Sequence, residues 1–430
     1  MIEVILDSET DRLEKKLQSL LQRSVVFDVS LMREVESIID DVRARGDEAL
    51  VDYAARFDGY HQQASELRVS VEALERSAAQ IEATLLAALD EAIRNVRSFH
   101  EHERQQSWEM ETGQGVRLGQ RITPIDCVGL YVPGGSAAYP SSIVMNVVPA
   151  QVAGVKRIVV ATPPRSLEEN PAVAATLIRL GVTEVYAVGG AQAIAALAYG
   201  TETVPRVDKI TGPGNRYVAA AKKLVFGSVG IDSIAGPSEV VIIADETAGA
   251  DFLAADLLAQ AEHAEDASAV LITTSDKLAV KVAAEVARQM ELLPRRATIE
   301  ESLNRYGAVI VVRDLDQACA IANKFAPEHL EIVTRDDEAV AEKIRHAGAI
   351  FFGSYTPEAV GDYFAGPNHV LPTAGAARFS SALSVYDFVR RTSMLRYSRE
   401  ALQRSTEKIA TLARAEGLDA HARSAEIRLE

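Results

Sequence analysis

Two short motifs carry side chains that could bind a metal and move protons. Gln260 and His263 fall late in the apolar-rich stretch Asp251-Phe-Leu-Ala-Ala-Asp-Leu-Leu-Ala-Gln-Ala-Glu-His263. A spacing of three puts both on one face of a helix. Imidazole suits zinc, whereas a glutamine oxygen is a weak and unusual ligand, so on spacing alone a polar helix end is the commoner reading. Pro327-Glu328-His329 stands just before the β-rich run Leu330-Glu-Ile-Val333. An acid beside an imidazole at a strand mouth could transfer protons at two different pKa values, or be exposed loop charge. Asp362, in Val360-Gly-Asp-Tyr363, precedes Gly366-Pro-Asn-His369, and aspartate beside glycine usually means turn chemistry. His421, in Glu416-Gly-Leu-Asp-Ala-His421, would ordinarily be a surface residue on a polar helix.

The other histidines and the two cysteines are weaker candidates. His100 and His102 are two apart, so on a helix they point to nearly opposite sides and cannot chelate together. His61 lies in a polar stretch and His346 near a helix end, both solvated surface positions. Cys127 precedes a strand and Cys319 sits in the apolar segment Gln317-Ala-Cys-Ala-Ile-Ala322. Thiols in such places are usually inert.

Three glycine-rich turns add a second kind of chemistry: Tyr131-Val-Pro-Gly-Gly135, Gly189-Gly-Ala-Gln192 and Thr211-Gly-Pro-Gly-Asn215. Each follows a β-rich run, where a ligand can approach backbone N–H groups and helix N-termini closely. One such turn is ordinary loop chemistry; three together point to a nucleotide-sized cleft. No Gly-x-Gly-x-x-Gly opens a helix and there is no Walker loop, so the pattern does not identify NAD.

The elements that must carry these residues are legible in outline. Leu13, Leu17, Leu20 and Leu21 form a helical stripe that must pack on its own body or on a partner chain. Further helices are expected after Asp28 and from about Val71 to Glu103, the latter behind Ser70 as N-cap. From Val128 on, short apolar runs alternate with helical segments: Ile158–Thr162, Glu184–Val188, Glu239–Ala244, Ala269–Thr273, Ala308–Val312 and Ala349–Phe352. Runs of this kind mark parallel sheets covered on both faces. They suffice for two α/β units with a seam between Gly230 and Pro237, and after about Ser380 the chain is expected to be helical to its end.

Composition narrows the function classes. Of 430 residues, 45 are Lys or Arg and 61 Asp or Glu, a net charge of −16 that would repel a phosphate backbone and excludes nucleic acid as partner. Two cysteines cannot make a secreted disulfide framework, and the first residues turn charged too early for a signal peptide. The small-residue stretch Ala187–Tyr199 reads as a buried helix rather than a membrane span. A cytoplasmic protein is expected.

Seven segments taken together resemble one family, histidinol dehydrogenase. They are Gly129–Gly135, Thr211–Asn215, Ala235-Gly-Pro-Ser-Glu239, Gln260–His263, Ala326-Pro-Glu-His-Leu-Glu331, Gly366-Pro-Asn-His-Val-Leu-Pro372 and Phe379-Ser-Ser-Ala-Leu-Ser-Val-Tyr-Asp387, in the family's order. The resemblance implies NAD-dependent, zinc-requiring oxidation of L-histidinol through its aldehyde to L-histidine. It implies zinc on Gln260, His263, Asp362 and His421, with one ion per subunit. Ser238 and Glu416 would contact histidinol along with Gln260, His263, His329, Asp362 and His421, and His369 would be a neighbour. Tyr131, Gln192 and Asn215 would line the NAD site, with Glu328 and His329 as catalytic groups. It further implies two incomplete Rossmann-like domains, 28–127 with 238–380 and 128–237. Helical arms at 1–27 and 381–430 would be exchanged in a homodimer with shared active sites. Two rival readings are a zinc and NAD dehydrogenase of another small alcohol such as sulfopropanediol, and a non-catalytic zinc- or nucleotide-binding module. Glu416, five residues before His421, favours histidinol.

Overall fold

The protein was analysed as a computed structural model that describes residues 2–23, 27–134 and 140–430. The acid–base motif belongs to a six-stranded sheet in the order Val4–Ile5, Ala308–Val311, Ser268–Thr273, Glu239–Ala244, His329–Val333, Ala349–Phe352, with every neighbouring pair parallel. Its central strands are buried along their whole length and mostly apolar, because both faces are covered. Val240, Ile242 and Ala244 pack under the helices Ala250–Ala261 and Asp276–Met290, while Val241 and Ile243 face the helices Thr10–Leu21 and Leu315–Phe325.

The leucine stripe of the N-terminal arm therefore finds its cover within its own chain. Leu13 and Leu20 are buried beside Val241 and Ile243, and Val4–Ile5 adds an edge strand next to Ala308–Val311. Most of a helix face and one strand edge are thus satisfied within the chain, while Leu21 stays exposed.

The glycine turns belong to a second six-stranded sheet, ordered Arg68–Val69, Glu184–Ala187, Arg157–Thr162, Cys127–Tyr131, Lys209–Thr211, Gly230–Ile231. It is parallel except at the Arg68–Val69 edge. The helix Val29–Arg45 buries Leu31, Val35, Ile38, Ile39 and Val42 against Ile194, Ala195, Ala198 and Val218 of this unit. Val71–Ala78 and Ala83–Glu101 likewise pack on the helices Pro171–Arg179 and Pro140–Ala153. The helical segment following residue 28 thus sits on the second sheet, whereas 28–127 was expected to join the first. Periodicity reveals an apolar face but not the sheet that covers it. The single helix expected from Val71 to Glu103 is two, broken after Ala78, with the Ser70 hydroxyl capping the first by accepting from Ala73 N at 3.1 Å.

A third, antiparallel sheet joins Trp108–Glu111, Val116–Pro124 and Val389–Tyr397. The expectation of an all-helical end after Ser380 is corrected here. The strand Val389–Tyr397 is mostly exposed, so it lacks the apolar alternation that would announce it. Beyond it the helices Arg399–Ala415 and Asp419–Glu426 pack chiefly on one another, leaving Leu412, Leu418 and Ile427 exposed. Among the described residues no helix is long and apolar enough to cross a membrane.

Candidate active site

Glu328 and His329 sit at the N-terminal edge of the first sheet, both buried. The register pairs His329 with Val240, which brings Glu239 alongside. The Glu239 N–H donates to Glu328 Oε2 at 3.0 Å, and the Glu239 carbonyl lies 3.3 Å from His329 Nδ1. Three carboxylates surround the imidazole. Glu328 Oε2 and Glu358 Oε1 are each 3.8 Å from Nδ1, and Asp362 Oδ1 is 3.7 Å from Nε2. Burial pulls the His329 pKa down, but Glu358, Glu328 and Asp362 outweigh it and push it up to about 10. Glu328 is pushed up to about 8, mainly by burial, against the opposing pull of His329.

The metal candidates converge on the same place. Ligand atoms of His263, Glu358 and Asp362 all lie within 4.8 Å of one another. His263 follows the end of the helix Ala250–Ala261, and its Nδ1 lies 3.1 Å from the Ala259 carbonyl, leaving Nε2 for a ligand. One turn earlier Gln260 is fully buried, and neither of its amide atoms has a hydrogen-bond partner. The same holds for both carboxylate oxygens of Glu358. Burying an unsatisfied polar group costs about 1–3 kcal/mol, so a cluster of them is a strong sign of an absent ligand. An amide oxygen, an imidazole nitrogen and carboxylates make a donor set that zinc accepts, and the residues fit a divalent ion. His369 supports Asp362 from behind, its Nδ1 lying 3.0 Å from the Asp362 carbonyl. Burial holds the His369 pKa below the usual range for histidine.

Glu358 was not anticipated. It starts the short helix Glu358–Tyr363, whose i, i+4 spacing sets Glu358 and Asp362 on one face. That spacing is a signal the sequence does contain. Ser238 immediately precedes the strand Glu239–Ala244, and its carbonyl accepts from Ser268 N at 3.0 Å. Glu416 and His421 are exposed on the C-terminal tail, and His421 is not among the clustered ligand atoms.

Tyr131, Gln192 and Asn215 are brought together, as lining of one cleft of about 530 Å³ at the C-terminal edge of the second sheet. The Tyr131 hydroxyl accepts from Gly190 N at 3.0 Å. Gly190 has φ of +68°, and a Cβ there would lie 2.6 Å from Gln192 Oε1, so the turn requires glycine. Asn215 Oδ1 accepts from Tyr217 N and Val218 N at 3.0 and 3.2 Å, capping the helix Arg216–Val225 and leaving its NH₂ for a ligand. Phe57 and Asp58, from the π-helical turn Ala54–Asp58, also line the cleft and were not anticipated. Gly135, last residue of the first glycine turn, lies outside the described residues.

An all-parallel and a mostly parallel sheet, with a nucleotide-sized cleft on one and an acid–base cluster fit for a divalent ion on the other, make the scaffold of an α/β enzyme. The family model for histidinol dehydrogenase matches residues 21–429. The chain belongs to the histidinol dehydrogenase family. It is 55% identical over 414 residues to histidinol dehydrogenase of Geobacillus kaustophilus, covering 94% of this chain and 97% of that one. It is 52% identical over 410 residues to the Bacillus subtilis enzyme, covering 95% and 96%. A crystal structure of histidinol dehydrogenase from Elizabethkingia anophelis superposes with a TM-score of 0.93 at 36% identity, covering 100% of this chain and 98% of that one.

Proposed function

We propose that this enzyme oxidises L-histidinol through L-histidinal to L-histidine in the cytoplasm, using two NAD molecules in succession and one zinc ion per subunit. The observation that carries the reading is the buried, unpartnered Gln260 amide one turn from His263, whose ligand atoms cluster with those of Glu358 and Asp362 beside His329, in a chain of this family. When bound, NAD would supply hydride acceptance, and zinc a Lewis-acidic anchor for the substrate's amino and imidazole nitrogens. Gln260, His263 and Asp362 would hold that ion together with the partner subunit's His421. Ser238 and the partner subunit's Glu416 would orient histidinol, and Tyr131, Gln192 and Asn215 the dinucleotide. The exposed tail, with Leu412, Leu418 and Ile427 uncovered, is consistent with a homodimer in which it reaches across.

Removing four electrons from one carbon requires two hydride transfers. In the first, His329 takes the alcohol proton as hydride departs, and passes that proton on to solvent. Compensation of Asp362 and Glu358 by a dication would lower the His329 pKa and free the neutral imidazole a base requires. The aldehyde must next be hydrated, because a second hydride can leave only from a tetrahedral carbon. Glu328 removes a proton from the attacking water, and its raised pKa makes it a competent base near neutral pH. A thiol route is less suited. Burial pushes the Cys127 thiol up to about 11 and raises Cys319 as well, so neither supplies a thiolate readily.

The test is NADH formed per L-histidinol consumed, with and without a zinc chelator. Two per substrate, lost on chelation and restored by zinc, is the expected result. One per substrate would mean release of the aldehyde and remove the role given to Glu328. None, with NAD still bound, would assign the site to a different small alcohol.

A further inference from the structure

The N-terminal arm ends in a buried cation beside the active site. Arg23 follows the helix Thr10–Leu21, and only 6% of its side chain is exposed. Its guanidinium lies over the Tyr306 ring at 4.8 Å. Nη1 is 3.6 Å from Glu239 Oε2, and Nη2 donates to the carbonyls of Asp266 and Ser238, the latter at 3.4 Å. Glu239 is itself buried, and its other carboxylate oxygen has no hydrogen-bond partner. Arg23 is the countercharge to this carboxylate, although burial outweighs it and holds the Glu239 pKa above the usual carboxylate range.

Glu239 faces two ways. Its side chain meets Arg23, while its own N–H holds Glu328 and its own carbonyl lies against His329 Nδ1. The same guanidinium also holds the carbonyl of Ser238, one residue earlier. We propose that Arg23 is a positioning residue for the proton-transfer pair, fixing the Ser238–Glu239 backbone so that its N–H and C=O hold Glu328 and His329 in register. This rests on the reading of Glu328 and His329 as the proton-transfer groups. A planar fork can span a carboxylate and two carbonyls at once, which a lysine ammonium cannot do in the same geometry. No other part of the mechanism uses the N-terminal arm, and this contact gives it one.

Three variants of the full-length enzyme test the proposal: Arg23→Lys, Arg23→Met combined with Glu239→Gln, and Glu328→Gln. The double change removes the buried charge together with its partner, so no lone carboxylate is left to unfold the protein. In Arg23→Lys and in the double variant, kcat should fall by about ten- to a hundredfold. Arg23→Lys should retain more turnover than the double variant. Zinc content, melting temperature and the NAD dissociation constant from titration calorimetry should stay close to native. Native kcat in the double variant would show that Arg23 only neutralises Glu239, and overturns the proposal. So does a kcat that falls only in step with zinc content or melting temperature, because that is a structural role. Glu328→Gln separates the two levels. Full turnover there overturns the underlying reading, whereas loss there with full turnover in both Arg23 variants overturns the positioning role alone.

Discussion

Gln260 in the last turn of the helix Ala250–Ala261 and His263, two residues past its end, live in opposite surroundings. Gln260 is fully buried with both amide atoms unpartnered, whereas His263 is exposed with Nδ1 already turned to the Ala259 carbonyl. The pair combines a donor that the fold strands with one that the fold leaves free. Gln260→Leu keeps the volume roughly and removes the stranded polar atoms. The zinc-free variant should therefore be more stable than zinc-free native protein by about 1–3 kcal/mol, while its zinc content collapses. Denaturant unfolding of both proteins with excess chelator, beside elemental analysis, checks this. Equal or lower stability would mean that the amide is satisfied in solution.

Glu328 gives the reaction a pH signature. Burial raises its carboxyl from 4.5 to about 8, so the protonated form dominates below that value and the base form above it. Turnover starting from histidinal should climb with pH through an inflection near 8 in native enzyme, and the inflection should vanish in Glu328→Gln. The same shift makes the folded state hold a proton that the unfolded chain releases. The stability from this group is present in full below 4.5 and is lost as pH rises through about 8. An unchanged profile in the variant would assign the inflection to another group.

The tail makes a prediction about the assembly. His421 is exposed on Asp419–Glu426 and absent from the His263, Glu358 and Asp362 cluster. His421→Ala and His329→Ala subunits should each be inactive. Unfolded and refolded together, they should regain about a quarter of native activity per site, because random pairing restores one complete site in half the dimers. No recovery, with heterodimers demonstrated by mass spectrometry, would mean that the tail serves its own chain.

Asn215 has two tasks that one substitution separates. Its Oδ1 caps the helix Arg216–Val225, and its NH₂ remains for the ligand in the cleft. Asn215→Asp preserves the cap but replaces the NH₂ donor by an anion, so melting temperature should hold while NAD affinity drops. Asn215→Ala should cost about 1 kcal/mol of stability as well. Calorimetric NAD titration and thermal melts of the two variants check both halves. Retained affinity in Asn215→Asp would remove Asn215 from the dinucleotide site.

Local patterns in the sequence were enough for the parallel strands and the glycine turns, whereas the helix expected to carry both Gln260 and His263 ends at Ala261. Strands and turns each depend on neighbours within about one helical turn or one strand. The apolar runs of Glu239–Ala244 and Ser268–Thr273 declare burial on both faces, and the Ser70 cap is written in a few residues. The resemblance to histidinol dehydrogenase rested on motifs of the same short range, and family membership bears it out. Tertiary structure decided the rest. Glu358 joins Asp362 and His329 because a short helix returns beside the strand that starts at His329. The helix Val29–Arg45 chose the second sheet because Ile194 and Val218 complete its apolar face, a match that no local pattern encodes. The exposed strand Val389–Tyr397 exists through backbone pairing with Val116–Pro124, which leaves almost no hydrophobic trace. Arg23 reaches Glu239 across more than two hundred residues of chain, and a buried ion pair of that span becomes visible only once both ends are folded.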